Sequence, residues 1–181
     1  SWASQAWLLQ SPGRKALSRS REVTPEDCFT PLKEKAVEVP AYIKWLINEK
    51  PDWQEHFSFQ AFPIPLEFID IEPALKQLDQ VWRISRLGLL RIERMTVYDW
   101  HVDQERESCV NLLYSLDNNS HTLFGTQRDQ LNKDVIELKY APDTFYLFNN
   151  QVEHTVINLD GPRYLFSLYF EKEKNYHSLK K

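Results

Sequence analysis

The sequence predicts a mainly β (α+β) domain, in which short strands build a sandwich or barrel and helices precede the strands. From Gly88 onward, the hydrophobic pattern changes to the two-residue alternation that is typical of strands. About eight short segments of this kind follow at hairpin spacing, separated by turns rich in Asn, Asp, Gly and Pro. Before Gly88, apolar residues recur mostly at helical spacing. We therefore expect a β-rich core with the N-terminal helices packed on its outside.

The composition is that of one globular domain. The chain has 181 residues, of which 42% are hydrophobic and 13% aromatic, which is enough for one sizeable core. A formal net charge of −4 does not favour nucleic acid as a partner. No apolar run is long enough to span a bilayer and no basic segment precedes the apolar start, so we predict neither a membrane protein nor a signal peptide. Cys28 and Cys109 are predicted to be unpaired thiols, as expected of a cytoplasmic protein.

The organisation along the chain is predicted from these patterns. Residues 1–24 are expected to form an N-terminal arm and residues 25–181 a single domain. Within the domain we expect a helical part over about 25–87, a β core over about 88–171 and a charged C-terminal tail.

Each element has its own signal in the helical part. Thr24-Pro25 followed by two acids is typical of a helix start. A second helix is predicted from Pro40 until Pro51 stops it, and a third over 72–82. Alternation predicts one strand over 57–62, which the following prolines should end.

The strands of the core are predicted from alternation and from turn residues. In chain order they cover 89–98, the stretch around His101, 110–116, 121–124, 134–140, 144–148, 152–159 and 163–170. Strong turn signals separate several of them, at Asp117-Asn118-Asn119, Ala141-Pro142-Asp143 and Asp160-Gly161-Pro162.

Two of these strands carry a candidate metal site. His101 and Asp103 lie two residues apart, so in an extended strand their side chains project to the same face. His154, in a later strand, can supply a third ligand. Two histidines and one carboxylate on one side of an ion form the facial triad of non-haem Fe(II) oxygenases. Arg163 follows nine residues after His154, and its guanidinium suits the far carboxylate of a bidentate co-substrate.

This ordered set resembles the iron(II)/2-oxoglutarate-dependent dioxygenases, whose fold is a double-stranded β-helix, also described as jelly-roll or cupin-like. The resemblance spans Gly88 to Phe170. It implies that His101, Asp103 and His154 hold Fe(II), while Arg163 binds 2-oxoglutarate, with O2 as the oxidant. The implied reaction is the oxidative decarboxylation of 2-oxoglutarate to succinate and CO2. It is coupled to hydroxylation of an amino acid or of an amino-acid side chain.

Further residues are candidates for contact with the co-substrate or substrate, and each could equally be a hydrogen-bonding core residue. They are Tyr98, Asn111, Tyr114 and Ser167. Trp100 could wall the pocket or pack on the outside. Glu105 and Arg106 are interpreted as part of a solvated loop, and His56 and His121 as structural residues.

Two other functions remain open from the sequence. One is a cupin-like metalloprotein that does not use 2-oxoglutarate and has no need of Arg163. The other is a non-catalytic β-sandwich binding module in which the three metal-ligand candidates are ordinary surface residues. The expected partner is a small molecule or the side chain of a peptide or protein, rather than nucleic acid or a membrane.

Overall fold

Two antiparallel sheets form the computed structural model, which describes residues 23–172 and 175–180. The predicted N-terminal arm lies outside these residues except for its last two. The strands are β1 Phe29–Lys35, β2 Gln54–Glu55, β3 Gln60–Ile64, β4 Ile84–Ile92, β5 Thr96–His101, β6 Ser108–Leu113, β7 Ser120–Gln127, β8 Lys133–Leu138, β9 Thr144–Asn149, β10 His154–Asn158 and β11 Arg163–Phe170. The helices are α1 Pro25–Cys28, α2 Val39–Asn48, α3 Pro73–Val81 and α4 Tyr176–Leu179, and a 3-10 turn covers Leu66–Asp70.

The strand order is that of a double-stranded β-helix. The large sheet has the order β1-β9-β6-β11-β4-β3-β2, and the small sheet has the order β5-β10-β7-β8. Along the chain, β4 to β11 pass back and forth between the two sheets, so that each sheet contains four of these eight strands. The predicted mainly β fold with a jelly-roll core is therefore confirmed.

The helices pack on the outer face of the large sheet, as predicted. Buried residues of α2, of the 3-10 turn and of α3 share one hydrophobic cluster with outward-facing residues of the large sheet. In β11, for example, Phe166 and Leu168 join this cluster, whereas Leu165 and Ser167 face the space between the sheets. Within the described residues, no helix has both the length and the hydrophobicity needed to cross a membrane.

The strand predicted over 89–98 is two strands in different sheets, so that prediction is wrong. β4 begins earlier, at Ile84, and β5 begins only at Thr96. Met95 lies between them with a φ of 55°, a conformation that turns the backbone. The Asn158 side-chain amide donates hydrogen bonds to the carbonyls of Ile92 and Glu93 and so fixes the crossing.

The segment predicted to be helical over about 25–87 also contains strands, which corrects that boundary. α1 is a single turn, and β1 follows it at once and pairs with β9. β1 is polar and charged because it is an edge strand with an exposed face. β3 continues through Pro63, which was expected to end it. Pro63 is tolerated because the neighbouring β2 pairs only with Gln60 and Ala61.

The two cysteines are free and buried, as predicted. Burial, with the nearby carboxylates of Asp27 and Glu26, raises the pKa of the Cys28 thiol to about 12. Burial also raises the pKa of the Cys109 thiol. Both side chains are therefore protonated thiols near neutral pH.

Glu72 fixes the start of α2 from a distant part of the chain. Its side chain is fully buried. Oε1 accepts hydrogen bonds from the backbone N–H groups of Val37, Glu38 and Val39, at 2.8–3.1 Å. The first N–H groups of a helix have no partner within the helix, so this carboxylate supplies the missing acceptor.

Replacing Glu72 with alanine is expected to lower the free energy of unfolding by about 2–4 kcal/mol, because three backbone donors lose their acceptor. Denaturation in urea, followed by circular dichroism, measures this change. Glu67→Ala removes an exposed carboxylate from the preceding 3-10 turn and serves as the control, with an expected change below about 0.5 kcal/mol. Equal, small effects for the two variants would contradict the role assigned to Glu72.

Candidate active site

A cavity of about 730 Å³ lies between the two sheets. Of the eight candidate site residues from the sequence, seven line it: Tyr98, His101, Asp103, Asn111, His154, Arg163 and Ser167. In β11, Arg163, Leu165 and Ser167 follow one another at two-residue intervals and line the cavity together, as strand alternation requires. In β5, Tyr98 and His101 lie three residues apart, and both line the cavity because the pairing of β5 with β10 shifts register between them.

Tyr114 is the exception and is not a cavity residue. It packs against the hydrophobic cluster under the helices, on the opposite face of the large sheet. Tyr114 has the same parity along its strand as Val110 and Leu112, which are buried in that cluster, whereas Asn111 has the opposite parity. The proposed contact of Tyr114 with co-substrate or substrate is therefore wrong.

His101 and His154 face each other across the β5–β10 pair. They are register partners, and their ring centroids lie 4.4 Å apart. Nδ1 of His101 lies 2.6 Å from the Asp99 carbonyl oxygen, and Nδ1 of His154 lies 2.7 Å from the Val152 carbonyl oxygen. A carbonyl oxygen can only accept, so each Nδ1 carries the proton and donates it. The lone pair of each neutral ring is therefore on Nε2, where a metal ion can bind.

The surroundings of His154 favour its neutral form, and those of His101 fix its orientation. His154 is buried, and the rings of Phe124 and Phe148 lie 5.9 and 5.0 Å from it. Burial lowers the pKa of His154 to about 4. Tyr98 stacks on His101 with a centroid distance of 4.1 Å and holds that ring in place. Both imidazoles are thus oriented as metal ligands.

Asp103 lines the same cavity, but its carboxylate contacts Arg106. Oδ1 accepts from the backbone N–H groups of Glu105 and Arg106, and Oδ2 accepts from Arg106 Nε at 3.0 Å. Among the residues that the structure describes, no three His, Cys, Asp or Glu side chains converge into a ready-made metal site. A carboxylate has about four lone-pair positions, so one remains for a metal ion beside the three hydrogen bonds. The donor set thus fits Fe(II) in its chemistry.

Arg106 is not part of a solvated loop, which corrects the interpretation from the sequence. Its side chain is only 13% exposed. Besides its ion pair with Asp103, it donates through Nη1 to Ser167 Oγ at 2.8 Å and to the Leu168 carbonyl at 3.3 Å. Its guanidinium also lies over the Tyr169 ring, 4.3 Å from the centroid. Glu105 does remain exposed, as expected of a loop residue.

Ser167 and Asn111 belong to a polar network around Arg106. Ser167 Oγ donates to Asn111 Oδ1 at 2.6 Å. The Cys109 thiol donates weakly to the same oxygen and to Asn150 Oδ1. Asn150 Nδ2 is buried and has no hydrogen-bond partner in the described structure. Ser167 and Asn111 therefore each have a hydrogen-bond partner within the protein, and their contact with a co-substrate stays a prediction.

Arg163 is a buried cation with no acidic side chain in ion-pair contact among the described residues. The residue is 2% exposed, and Nη2 donates to Thr122 Oγ1 at 2.7 Å. By hydrogen-bond geometry, neither Arg163 Nε nor the buried hydroxyl of nearby Tyr140 has a partner in the part of the chain that the structure describes. Burial lowers the pKa of Arg163, an effect that Tyr140 opposes, and burial raises the pKa of Tyr140. A charged donor and a phenol donor are thus both unsatisfied here, which fits a carboxylate ligand.

The sequence reading missed Arg106, Thr122, Tyr140 and Asn150 as cavity residues. Strand alternation predicts two of these positions. Thr122 lies two residues from Phe124, and Tyr140 lies two residues from Leu138, so each shares the inward face of its buried neighbour. No local signal marks the other two, since their positions depend on how loops fold back.

The sequence left the position of Trp100 open and interpreted His56 and His121 as structural residues. Trp100 packs on the outer face of the small sheet, where a Cβ on Gly125 would come within 2.7 Å of its ring. His121 contacts Glu137 and Asn119. His56 stacks on Phe59 and lines the cavity.

The comparisons with known proteins concern the fold. No protein-family model matches the sequence, and no curated protein matches it. A prolyl hydroxylase from Trichoplax adhaerens, in complex with a hypoxia inducible factor oxygen degradation domain peptide fragment, is similar in structure. It has a TM-score of 0.59 at 12% identity, over 97% of this chain and 96% of that one.

Two further solved structures share the fold. One is an oxidoreductase of the 2OG-Fe(II) oxygenase family from Burkholderia pseudomallei, with a TM-score of 0.53 at 11% identity over 88% of each chain. The other is HygX from Streptomyces hygroscopicus with nickel and 2-oxoglutarate bound, with a TM-score of 0.52 at 11% identity over 81% of this chain and 86% of that one. The resemblance inferred from the sequence is thus confirmed in the fold: this chain has the double-stranded β-helix of the 2OG-Fe(II) oxygenases and prolyl hydroxylases.

Proposed function

We propose that the protein is an Fe(II)- and 2-oxoglutarate-dependent dioxygenase that hydroxylates an amino acid or an amino-acid side chain. The observation that carries this proposal is the combination of two kinds of site in one cavity. Two imidazoles whose Nδ1 groups donate to backbone carbonyls lie on the small sheet. A buried arginine that has no acidic partner among the residues described by the structure lies in the same cavity. A chelating dicarboxylate needs both a metal and a distant cation.

The proposed roles follow from the contacts. His101, His154 and Asp103 would hold Fe(II). Arg163 would bind the far carboxylate of 2-oxoglutarate, with the Tyr140 hydroxyl as a second donor. With 2-oxoglutarate and O2, the bound iron supplies the oxidation of a substrate C–H bond, releasing succinate and CO2.

The protein's own contribution is orientation and exclusion of water. The carbonyls of Asp99 and Val152 hold the two imidazoles in the tautomer that binds a metal. The buried rings of Phe124 and Phe148 shield His154 from solvent. Thr122 fixes the Arg163 guanidinium and leaves its Nε available.

Structures with this fold support the proposed ligands. HygX holds nickel and 2-oxoglutarate, and the Trichoplax enzyme holds a peptide fragment. A metal, a 2-oxoacid and a peptide or amino acid are therefore the ligands that we expect this chain to bind.

The experiment is a succinate-release assay. Protein reconstituted with Fe(II) under anaerobic conditions is mixed with 2-oxoglutarate and O2, alone and with free amino acids or peptides. We expect succinate that depends on both iron and 2-oxoglutarate and that increases with a substrate. Metal binding without 2-oxoglutarate binding would instead support a metalloprotein of another class, and loss of both would support a non-catalytic binding module.

A further inference from the structure

Besides Arg163, the cavity contains a second largely buried cation, Arg106, which lies beside the metal-ligand candidate Asp103. Arg106 lines the cavity, and Asp103 is the one carboxylate within ion-pair distance of it in the described structure. Nε of Arg106 donates to Asp103, and Nη1 donates to Ser167 and to the Leu168 carbonyl. Glu105 is close in sequence, but it is exposed and contacts Arg86 and Tyr169.

The charge of this corner is unbalanced once the proposed ligands are bound, and this step rests on the proposed function. The two charges of Fe(II) are balanced by Asp103 and one carboxylate of 2-oxoglutarate, and Arg163 is balanced by the other carboxylate. Asp103 would then be shared between Fe(II) and Arg106, its ion-pair partner, so that one positive charge of this largely buried corner would have no anion of its own. Such a charge is costly in a poorly solvated site unless an anion pairs with it.

Asn150 supplies an independent observation in the same corner. Its side chain is 2% exposed, lines the cavity, and its Nδ2 group has no partner. Its Oδ1 is occupied by the Cys109 thiol, which in turn lies within electrostatic range of Arg106. The corner therefore presents the unpaired Asn150 amide beside the largely buried charge of Arg106.

We propose that the substrate presents a carboxylate to Arg106, with the Asn150 amide as a further donor. The substrate class is then an amino acid with a free α-carboxylate, or a peptide with an acidic side chain next to the residue that is oxidised. Both carry the same chemical group, so Arg106 acts as a specificity residue that is separate from the 2-oxoglutarate anchor Arg163.

The test compares ligands that differ only in the carboxylate. The protein is loaded with Mn(II), which does not support turnover, and with 2-oxoglutarate, and binding is measured by titration calorimetry. One arm pairs N-acetyl amino acids with their amides, and the other pairs end-blocked peptides containing Asp with those containing Asn. We expect the carboxylate member of at least one arm to bind about 10-fold or more tightly than its amide, and the responding arm identifies the source.

Variants then assign this preference to Arg106. Arg106→Gln is expected to remove the preference, while Arg106→Lys is expected to retain part of it. Arg128→Gln, the same change at an exposed ion pair with Asp134, is the control. Asn150→Ala leaves the charge of Arg106 in place and should reduce the preference for carboxylates over amides by a smaller factor. This variant tests the proposal if Arg106→Gln does not fold.

The outcomes are distinct. Equal binding of carboxylates and amides, an unchanged preference in Arg106→Gln, or no carboxylate binding at millimolar concentration would overturn the proposal about the substrate. Failure of 2-oxoglutarate to bind the Mn(II)-loaded wild-type protein would instead overturn the proposed function, and the inference with it.

Discussion

Replacing His154 with alanine is expected to abolish succinate release and to weaken metal binding by at least about 100-fold. This loss of metal affinity exceeds the one expected when a residue that only orients a metal ligand is removed. The reason is that His154 is buried, that its Nδ1 proton is held by the Val152 carbonyl, and that its ring lies 4.4 Å from that of His101. Titration with Mn(II), followed by electron paramagnetic resonance, measures the affinity independently of turnover.

The matched control is His121→Ala. His121 lies on the neighbouring strand β7, where it contacts Glu137 and Asn119. We expect this variant to bind metal and to release succinate as the wild type does. Metal binding and turnover that survive in His154→Ala would contradict the metal site proposed here.

The second large effect is expected for Arg163→Leu, which should raise the Kd for 2-oxoglutarate by about 30- to 1,000-fold, or about 2–4 kcal/mol. The guanidinium is buried and, within residues 23–172 and 175–180, has no acidic side chain as a partner, so the ligand carboxylate would take that place. Calorimetric titration of 2-oxoglutarate into the Mn(II)-loaded protein measures the change.

Two controls separate binding from folding in this variant. Leucine removes a buried charge that has no anionic partner in the described structure, so the melting temperature should stay the same or rise. Tyr140→Phe keeps the charge and removes one donor, so its effect should be smaller, at about 10-fold. An unchanged affinity for 2-oxoglutarate in Arg163→Leu would favour a metalloprotein that does not use this co-substrate.

Strand alternation explains how much of the site the sequence could predict. In β11 it accounts for Arg163 and Ser167, which lie four positions apart and line the same cavity. It also accounts for Tyr114, which is three positions from Asn111 and packs on the other face of the sheet. It does not account for Tyr98 and His101, which are also three positions apart and yet both line the cavity, because the register of β5 on β10 shifts between them.

The remaining features depend on contacts between distant parts of the chain. The register that brings His154 opposite His101 is set by a whole strand pair, and no residue near either histidine encodes it. The break between β4 and β5 has no Gly or Pro, and Asn158 fixes it from far along the chain. The inward turn of Arg106 likewise depends on Ser167 and Tyr169 as partners.

The most direct test of the central claim is an anaerobic titration of the wild-type protein with Fe(II) and 2-oxoglutarate, followed by visible absorption. A 2-oxoacid chelated to Fe(II) produces a charge-transfer band, which neither component gives alone. We predict a saturable band in the wild type, none in His154→Ala, and one that requires far more 2-oxoglutarate in Arg163→Leu. The absence of a band in the wild type, or an undiminished band after loss of both His101 and His154, would contradict the account.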